Sequence, residues 1–359
     1  MHKPKSLVIA AVLILFISCS KDNIAGSSEE NSKPSEIEVT ANIIGSDQKN
    51  PYGDGSGTVI FSINAANADS YRVRIDDEIL EVTDNTISYT FSHRGTKTYS
   101  IVVLAYNSYG FSHISYDITV YVYREEKLVW YDEFDVDGQP NPNKWTYNIG
   151  NGGNGWGNNE SQYYTKRPEN VTINNGLLKI TAKRENYNGH SYTSTRMLTR
   201  GLFEFTYGRV VARAKLPLGG GTWPAIWMLG ANFSTVGWPA CGEIDIMEHV
   251  GNNQGKIHGS IHNNSSYGAT VNTGTKYVSD VSSEFHLYSV NWTEEEISFF
   301  IDDNLFYTYR PNVQNDATWP FDKDHFIILN LAMGGTFGGA IDPEFSQSSL
   351  EIDYIRVYQ

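Results

Sequence analysis

The chain has 359 residues, and its 27 basic and 41 acidic side chains give a formal net charge of −14. This length exceeds that of one ordinary domain and predicts two, while an apolar fraction of 40% is enough to build buried cores. The negative charge argues against nucleic-acid partners, which need a basic surface, and more weakly against anionic polymers as substrates.

The first residues have the pattern of an exported lipoprotein. Lys3 and Lys5 precede the apolar run 7–17, which is too short to span a bilayer as a helix, and Ser18-Cys19 follows it. The pattern resembles a bacterial lipoprotein signal ending at residue 18, with Cys19 as the lipidated residue. An ordinary secretory signal with an incidental Cys is the alternative. We expect a lipid anchor at the outer membrane or cell surface, with the periplasmic face left open.

Residues 19–35 are polar with almost no apolar content, which predicts a flexible tether. Alternating apolar runs then occur at 36–44, 58–64, 71–75, 86–91, 99–106 and 115–123. Six or seven short strands in under ~100 residues predict an immunoglobulin-like β-sandwich over 36–123. The stretch around Gly95 and Tyr99 loosely resembles the polycystic-kidney-disease (PKD) repeat. Without a clear aromatic row, this domain is interpreted as a spacer rather than a sugar-binding module.

A charged linker at 124–127 leads into a second, larger β region over 128–359. Aromatic residues make up 13% of the chain and Gly is abundant at 32, which suits strands and turns. The sequence shows no convincing helix in this region. We therefore predict an all-β protein with two β domains.

The stretch 241–250 carries the strongest chemical signal. Glu243 and Asp245 alternate with isoleucines, which is typical of a strand with one acidic and one apolar face. On a regular strand Glu248 would fall on the apolar face, so we predict a β-bulge near 246–247 that returns it to the acidic face. Two carboxyl groups ~5–5.5 Å apart form the catalytic pair of a retaining glycosidase. Asp245 between them could hydrogen-bond the attacking carboxylate.

Spacing alone leaves other interpretations open. The acids could form a solvated strand face, or a site for a hard cation, although three acids on one strand rarely enclose a cation without carbonyl ligands. Trp223 and Trp227 share a strand face, and Trp238 shortly precedes the acids. Such indoles alone are typical of a core, but beside paired carboxylates they favour a sugar-binding cleft. Cys241 is predicted to be a buried structural thiol.

Several further motifs occur in one order along the second region. The acids of 243–248 follow Gly-Thr-Trp-Pro-Ala-Ile-Trp-Met at 221–228. Other matching stretches are 131–135, 155–160, 162–164, 205–209, 238–243, 258–262 and 352–358. Together they resemble glycoside hydrolase family 16, in its laminarinase-type branch, across essentially all of 128–359. The resemblance implies a concanavalin-like β-jelly-roll of two curved antiparallel sheets.

The resemblance also implies roles for single residues. By motif position Glu243 is the nucleophile, Asp245 the assisting acid and Glu248 the acid/base. The residues that would line the cleft are Asn158, Arg196, Trp223, Trp227, Trp238 and His262. No cofactor is implied for catalysis. A structural calcium is implied, with ligands from the backbone near Glu133, the backbone at Gly176 and the side chain of Asp353. A plain surface acid is the alternative for Asp353.

The expected function is retaining, endo-acting hydrolysis of β-1,3-glucan (laminarin), of mixed-linkage β-1,3/1,4-glucan, or of both, by a monomer. Two rivals stay open. One is a non-catalytic glycan-binding lipoprotein on the same fold, and the other is a family 16 enzyme for another β-glycan, such as an algal galactan. The presence of both Glu243 and Glu248 favours catalysis. The loops 231–237 and 263–275, which would decide linkage preference, are not predictable from the sequence.

Overall fold

Residues 32–75, 78–82, 84–123 and 125–359 are described by the computed structural model of the chain. The chain divides into two units, with the boundary between Glu125 and Glu126. Both units consist mainly of strands, so the predicted all-β class is confirmed. The expected signal peptide, Cys19 and most of the expected tether lie outside the described residues. Within those described, no helix is long and apolar enough to cross a membrane.

The described residues of the first unit form seven strands in two antiparallel sheets. They are β1 (Ser35–Ile43), β2 (Thr58–Ala66), β3 (Ser70–Ile75), β4 (Glu78–Val82), β5 (Thr86–Thr90), β6 (Gly95–Asn107) and β7 (Gly110–Val122). One sheet has the order β1-β2-β5 and the other β4-β3-β6-β7. Side chains of both sheets, among them Phe61 and Val103, form one buried core. The sequence reading missed β4, because Val82 is the only buried residue in that strand.

The second unit begins with eight strands: β8 (Leu128–Asp132), β9 (Thr146–Asn148), β10 (Gln162–Tyr164), β11 (Val171–Asn174), β12 (Leu177–Tyr187), β13 (His190–Ser194), β14 (Arg196–Leu198) and β15 (Gly208–Lys215). It continues with β16 (Thr222–Gly230), β17 (Glu243–His249), β18 (Lys256–His262), β19 (Thr273–Tyr277), β20 (His286–Trp292), β21 (Ile297–Ile301), β22 (Asn304–Tyr309), β23 (His325–Met333) and β24 (Gln347–Tyr358). Its helices are single turns, α1 (Phe233–Val236) and α2 (Gly335–Gly338), in keeping with the helix-poor prediction. A π-type turn covers Gly155–Asn159 and a 3₁₀ turn Gly251–Asn253.

These strands form two sheets. The ten-stranded sheet has the order β10-β13-β12-β24-β15-β20-β21-β22, with β11 beside β12 and β8 beside β24. The seven-stranded sheet has the order β19-β18-β17-β16-β23-β14-β9. Pairing is antiparallel except between β10 and β13. This mostly antiparallel two-sheet layout is the one expected for a jelly-roll.

A single large core joins the two sheets. Ile226 and Ile244 of the seven-stranded sheet belong to the same buried cluster as Val210 and Leu350 of the ten-stranded sheet. Burying one such side chain stabilises the fold by about 1.5–3 kcal/mol. Because the inward positions are apolar, polar side chains of the seven-stranded sheet are left to its outer face.

A smaller cluster covers part of that outer face. It contains Leu198, Leu229, Cys241, Phe326 and Ile328, with Trp227 packed against it. The predicted burial of the Cys241 thiol is confirmed. Every residue of β23 is buried, since this strand is covered on both faces.

Candidate active site

The three acids of β17 share the outer face of the seven-stranded sheet because the strand bulges. Opposite Ile226 and Trp227 of β16 lie Met247 and Asp245, so Ile246 is one extra residue. Ile246 and Met247 both enter the core, at 1% and 0% exposure. The predicted bulge is therefore confirmed. It shifts the alternation by one residue, and Glu248 joins the face of Asp245 instead of pointing into the core.

Burial dominates the acid–base properties of these groups. It raises the pKa of Glu243, Asp245 and Glu248 to about 8 each. The charge of Asp245 raises the pKa of both glutamates further. Three carboxyl groups this close do not ionise together easily, so the cluster retains protons at neutral pH.

The neighbours of Glu243 and Glu248 differ in a way that separates their roles. His262 and the guanidinium of Arg196 oppose the rise in the pKa of Glu243, since both favour its ionised form. The hydrogen bond from the indole N–H of Trp223 and the charge of His262 oppose the rise in the pKa of Glu248. Arg196 therefore acts on Glu243 and not on Glu248, which favours Glu243 as the ionised group and Glu248 as the protonated one.

His262 lies close both to the acids and to the exposed ring of Trp238. Its Nε2 lies 3.0 Å from Oδ2 of Asp245, at an angle outside hydrogen-bond geometry, and 3.7 Å from Oε1 of Glu243. Its Nδ1 accepts the backbone N–H of Gly268 at 3.1 Å, which fixes the ring. The ring of Trp238 lies 6.1 Å from that of His262, centroid to centroid, and 43% of Trp238 is exposed. An exposed indole in this place can stack on a sugar ring.

The two indoles of β16 are held by hydrogen bonds. Nε1 of Trp223 donates to Oε1 of Glu248 at 2.9 Å, so this indole is attached to one of the acids. Nε1 of Trp227 donates to Oδ1 of Asn330 at 2.7 Å. Phe337 meets Trp223 edge-on, with ring centroids 5.4 Å apart. The rings therefore have fixed orientations beside the carboxyl groups.

Arg196 lies between two aromatic rings. Its guanidinium carbon is 4.7 Å from the centroid of Trp156 and 4.8 Å from that of Trp227. A cation over indole faces is stabilised by the ring quadrupoles. Arg196 comes from β14, separated from β16 only by β23. The stack therefore adds a positive charge to a sheet face that is otherwise acidic.

The glycine-rich loop before β10 shapes this end of the site. A Cβ at Gly155, where φ is +56°, would lie 2.3 Å from the backbone nitrogen of Glu160. A Cβ at Gly152 would lie 2.8 Å from the ring of Trp156, which itself has a left-handed φ of 56°. This tight turn brings Nδ2 of Asn158 to 3.2 Å from Oε1 of Glu160. The loop thus supplies an indole and an amide to the site.

The expected cleft residues can now be placed. The contacts above connect Arg196, Trp223, Trp227, Trp238 and His262 with the acids, whereas Asn158 contacts Glu160. Sequence reasoning gave no role to Trp156, Glu160, Asn330 or Phe337. The motif at 155–160 contained the first two, but nothing in it signalled their contacts. Asn330 and Phe337 carried no motif, because only the pairing of β23 with β16 brings them to the site.

The side chains at two of the expected calcium positions have other partners, although only that of Asp353 was expected to be a ligand itself. Both oxygens of Glu133 accept hydrogen bonds from Arg356 at 2.7 Å, and this pairing lowers the pKa of Glu133. Oδ2 of Asp353 lies 2.5 Å from Nη1 of Arg213. Gly176 occupies the turn between β11 and β12 with φ +73°. An ion held by Asp353 would compete with Arg213, so the calcium site stays a prediction.

One group of described residues has the spacing of a metal site, namely Glu243, Asp245 and His262. Their donor atoms lie within 4.8 Å of one another. Glycoside hydrolysis by paired carboxyl groups requires no metal. A cation there would neutralise Glu243 and Asp245, so it would oppose any chemistry that needs one of these groups as a free carboxylate.

Comparison with known proteins places this site in a family. The model of the glycosyl hydrolases family 16 matches residues 158–356, which is more than half of the chain. A β-glucanase of Rhodothermus marinus is 46% identical over 246 residues, covering 65% of this chain and 85% of that protein.

Solved structures agree. The laminarinase of Flavobacterium sp. UMI-01 is 46% identical, with a TM-score of 0.62, over 65% of this chain and 100% of that one. A non-specific endo-β-1,3(4)-glucanase crystallised with 1,3-β-D-cellotriosyl-glucose is 41% identical, with a TM-score of 0.62, over 66% of this chain and 95% of that one. The similarity covers a share of the chain close to that of the second unit.

Proposed function

The chain belongs to the glycosyl hydrolases family 16, and we propose that it hydrolyses internal bonds of β-1,3-glucan, of mixed-linkage β-1,3/1,4-glucan, or of both, with retention of configuration. The observation that carries this function is the bulged strand β17, which places Glu243, Asp245 and Glu248 on one face. Glycosidases that retain configuration need two such carboxyl groups. The similarity to β-glucanases supports β-glucan as the substrate class.

In the first step Glu243 attacks the anomeric carbon from the α face. Arg196 and His262 favour its ionised form, which is the form that can attack. As the covalent bond forms, the bond from the anomeric carbon to the leaving oxygen breaks. Asp245 lies next to both Glu243 and His262 and keeps their side chains in position.

Glu248 supplies the proton. Burial and the charge of Asp245 raise its pKa, so that it is protonated near neutral pH and donates to the leaving oxygen. Once ionised, it removes a proton from the water that attacks the glycosyl-enzyme from the β face. The N–H of Trp223 steadies the carboxylate during this second step.

The aromatic rim supports binding of a polymer rather than a chain end. Trp238 is 43% exposed and Tyr267, 5.4 Å away between ring centroids, is 55% exposed. Trp223 and Phe337 lie on the side of Glu248. Stacking surfaces on both sides of the acids favour cleavage within the chain.

The substrate is tested by incubating the protein with laminarin, mixed-linkage glucan, xyloglucan and agarose, and sizing the products. We expect oligosaccharides from laminarin, from mixed-linkage glucan, or from both. Cleavage of agarose alone would indicate a galactan enzyme. Binding of laminarin without any product would favour the glycan-binding rival. Glu243→Gln is the control, since it should bind without turnover.

We also propose a lipid anchor on Cys19, which puts the enzyme outside the cytoplasm at a membrane surface. Long glucans do not cross membranes, so an exported enzyme can reach them. Cys19→Ala should move the protein from the membrane fraction to the soluble fraction without changing the activity of the purified enzyme. If the variant still sediments with membranes, the anchor is something else.

The first unit is proposed as an immunoglobulin-like or PKD-like spacer. Its sheets, β1-β2-β5 and β4-β3-β6-β7, have the three-plus-four arrangement that such sandwiches use. Measuring the activity with and without this unit tests its role as a spacer. Measuring the mass in solution tests the expectation that the enzyme is a monomer.

A further inference from the structure

We infer that Glu160 is a positioning residue for the reaction: through Tyr164 and Asn330 it supports the indole on which Arg196 stacks, and its charge balances that of the guanidinium, which sets how strongly Arg196 favours the ionised nucleophile Glu243. This inference deepens the proposed glycosidase function and rests on it. Glu160 is only 8% exposed, and it is not one of the three acids of β17.

The surroundings of Glu160 hold its carboxyl group still. Nε2 of Gln162 donates to Oε2 at 2.6 Å, and the hydroxyl of Tyr164 donates to the same oxygen at 3.2 Å. Nδ2 of Asn158 donates to Oε1 at 3.2 Å. Burial raises the pKa of Glu160, while these donors and Arg196 oppose the rise. Three donors aimed at one buried carboxyl group stabilise its ionised form.

A chain of hydrogen bonds connects Glu160 to the indole beneath Arg196. Tyr164, which donates to Glu160, accepts Nδ2 of Asn330 at 3.1 Å. Oδ1 of the same amide accepts Nε1 of Trp227 at 2.7 Å. The ring of Trp227 is one of the two faces against which Arg196 stacks. Glu160 therefore affects Arg196 through its charge and through the orientation of Trp227.

Arg196 depends on these indirect supports. Its Nε is buried, and no acceptor in the described part of the chain takes a hydrogen bond from it. The carboxyl groups whose charges act on Arg196 are Glu160 and Glu243. One cation thus interacts through its charge with both a structural carboxylate and the nucleophile.

The consequence concerns Glu243. The groups that face it are Asp245 and Glu248 on its own strand, His262 from β18 and Arg196 from β14. When Glu160 is neutral, it no longer compensates the charge of Arg196. The field at Glu243 becomes more positive, which stabilises ionised Glu243, so its protonation should require a lower pH.

The test is the pH profile of kcat/KM on laminarin for the full chain, its Glu160→Gln variant and its Tyr164→Phe variant. Tyr164→Phe removes the hydroxyl that bonds both Glu160 and Asn330 but leaves the charge of Glu160, so it separates the charge effect, which should move the limb, from the support of Trp227. We expect Glu160→Gln to move the acidic limb down by about half a pH unit. Tyr164→Phe should leave the limb in place, whatever its effect on kcat.

An acidic limb that stays in place or moves up in Glu160→Gln would overturn the inference, as would an equal shift in Tyr164→Phe. If Glu160→Gln does not fold, Arg196→Met provides the measurement, since loss of the cation should move the acidic limb up. An unmoved limb in Arg196→Met would also overturn it. No turnover of any β-glucan by the unaltered protein would instead refute the proposed function.

Discussion

Glu248→Gln should abolish turnover and at the same time stabilise the protein as the pH rises. Gln has nearly the same shape as Glu and keeps an oxygen that accepts the N–H of Trp223, which lies 2.9 Å from Oε1 in the structure. It cannot ionise, however. The substitution therefore removes the charge of a buried acid while leaving its packing and its hydrogen bond.

The size of the effect follows from the raised pKa. Burial raises the pKa of Glu248 from 4.5 to about 8 in the folded state. The stability that this group contributes is full below pH ~4.5 and is lost as the pH rises to ~8, at ~1.4 kcal/mol per pH unit. Between pH 4.5 and 7 this gives an upper bound of ~3.4 kcal/mol, and sharing of protons within the cluster reduces it to ~1–3 kcal/mol.

Thermal unfolding of both proteins at pH 4.5, 6 and 7.5 measures the difference. We expect equal stability at pH 4.5 and a growing advantage for Glu248→Gln above it, ~2–4 °C in Tm for each kcal/mol. Glu133→Gln is the control of opposite sign, because Arg356 lowers the pKa of Glu133. That variant should lose stability at neutral pH, and its deficit should shrink on acidification. A difference for Glu248→Gln that does not change with pH would refute the reasoning.

Three further predictions concern the indole of Trp223, the bulge in β17 and the independence of the second unit. Trp223→Phe removes the hydrogen bond that lowers the pKa of Glu248, so the basic limb of the pH profile should move up and kcat should fall ~10-fold. A basic limb that does not move would show that Trp223 has no effect on the pKa of Glu248. Deletion of Ile246, the extra residue of the bulge, should turn Glu248 toward the core and leave no active folded protein, whereas Ile246→Val should cost only ~0.5–1.5 kcal/mol of stability; an active deletion variant would contradict the bulge. The segment 125–359, which comprises the whole of the second unit with its own core, should fold and cut glucan when expressed alone, and an insoluble product would show that it depends on the first unit.

The sequence predicted the parts of the site that follow from strand periodicity. The bulge at Ile246 was predictable because Glu248 violates a two-residue alternation that its neighbours obey. Burial of Cys241 was likewise predictable, since a thiol with no activating neighbour is typical of a core.

Other parts depend on pairing between distant segments. Asn330 reaches Trp227, 103 residues away, only because β23 lies beside β16. The ion pair of Glu133 with Arg356 spans 223 residues and crosses from β24 to the end of β8. No local pattern marks such contacts. The donors to Glu160 are local, since Tyr164 is only four residues away, but the link from Tyr164 to Asn330 of β23 again depends on distant pairing.

The division of roles between Glu243 and Glu248 is tested most directly by azide rescue, with the product anomer read by NMR. Glu243→Ala should be revived by azide on an activated β-glucoside and give the α-glycosyl azide, because azide enters from the face that the nucleophile has vacated. Glu248→Ala should give the β-glycosyl azide, because a covalent intermediate still forms and is attacked from the opposite face. The reverse pair of anomers would exchange the two roles. The α-anomer as the first hydrolysis product of the unaltered enzyme would contradict retention itself.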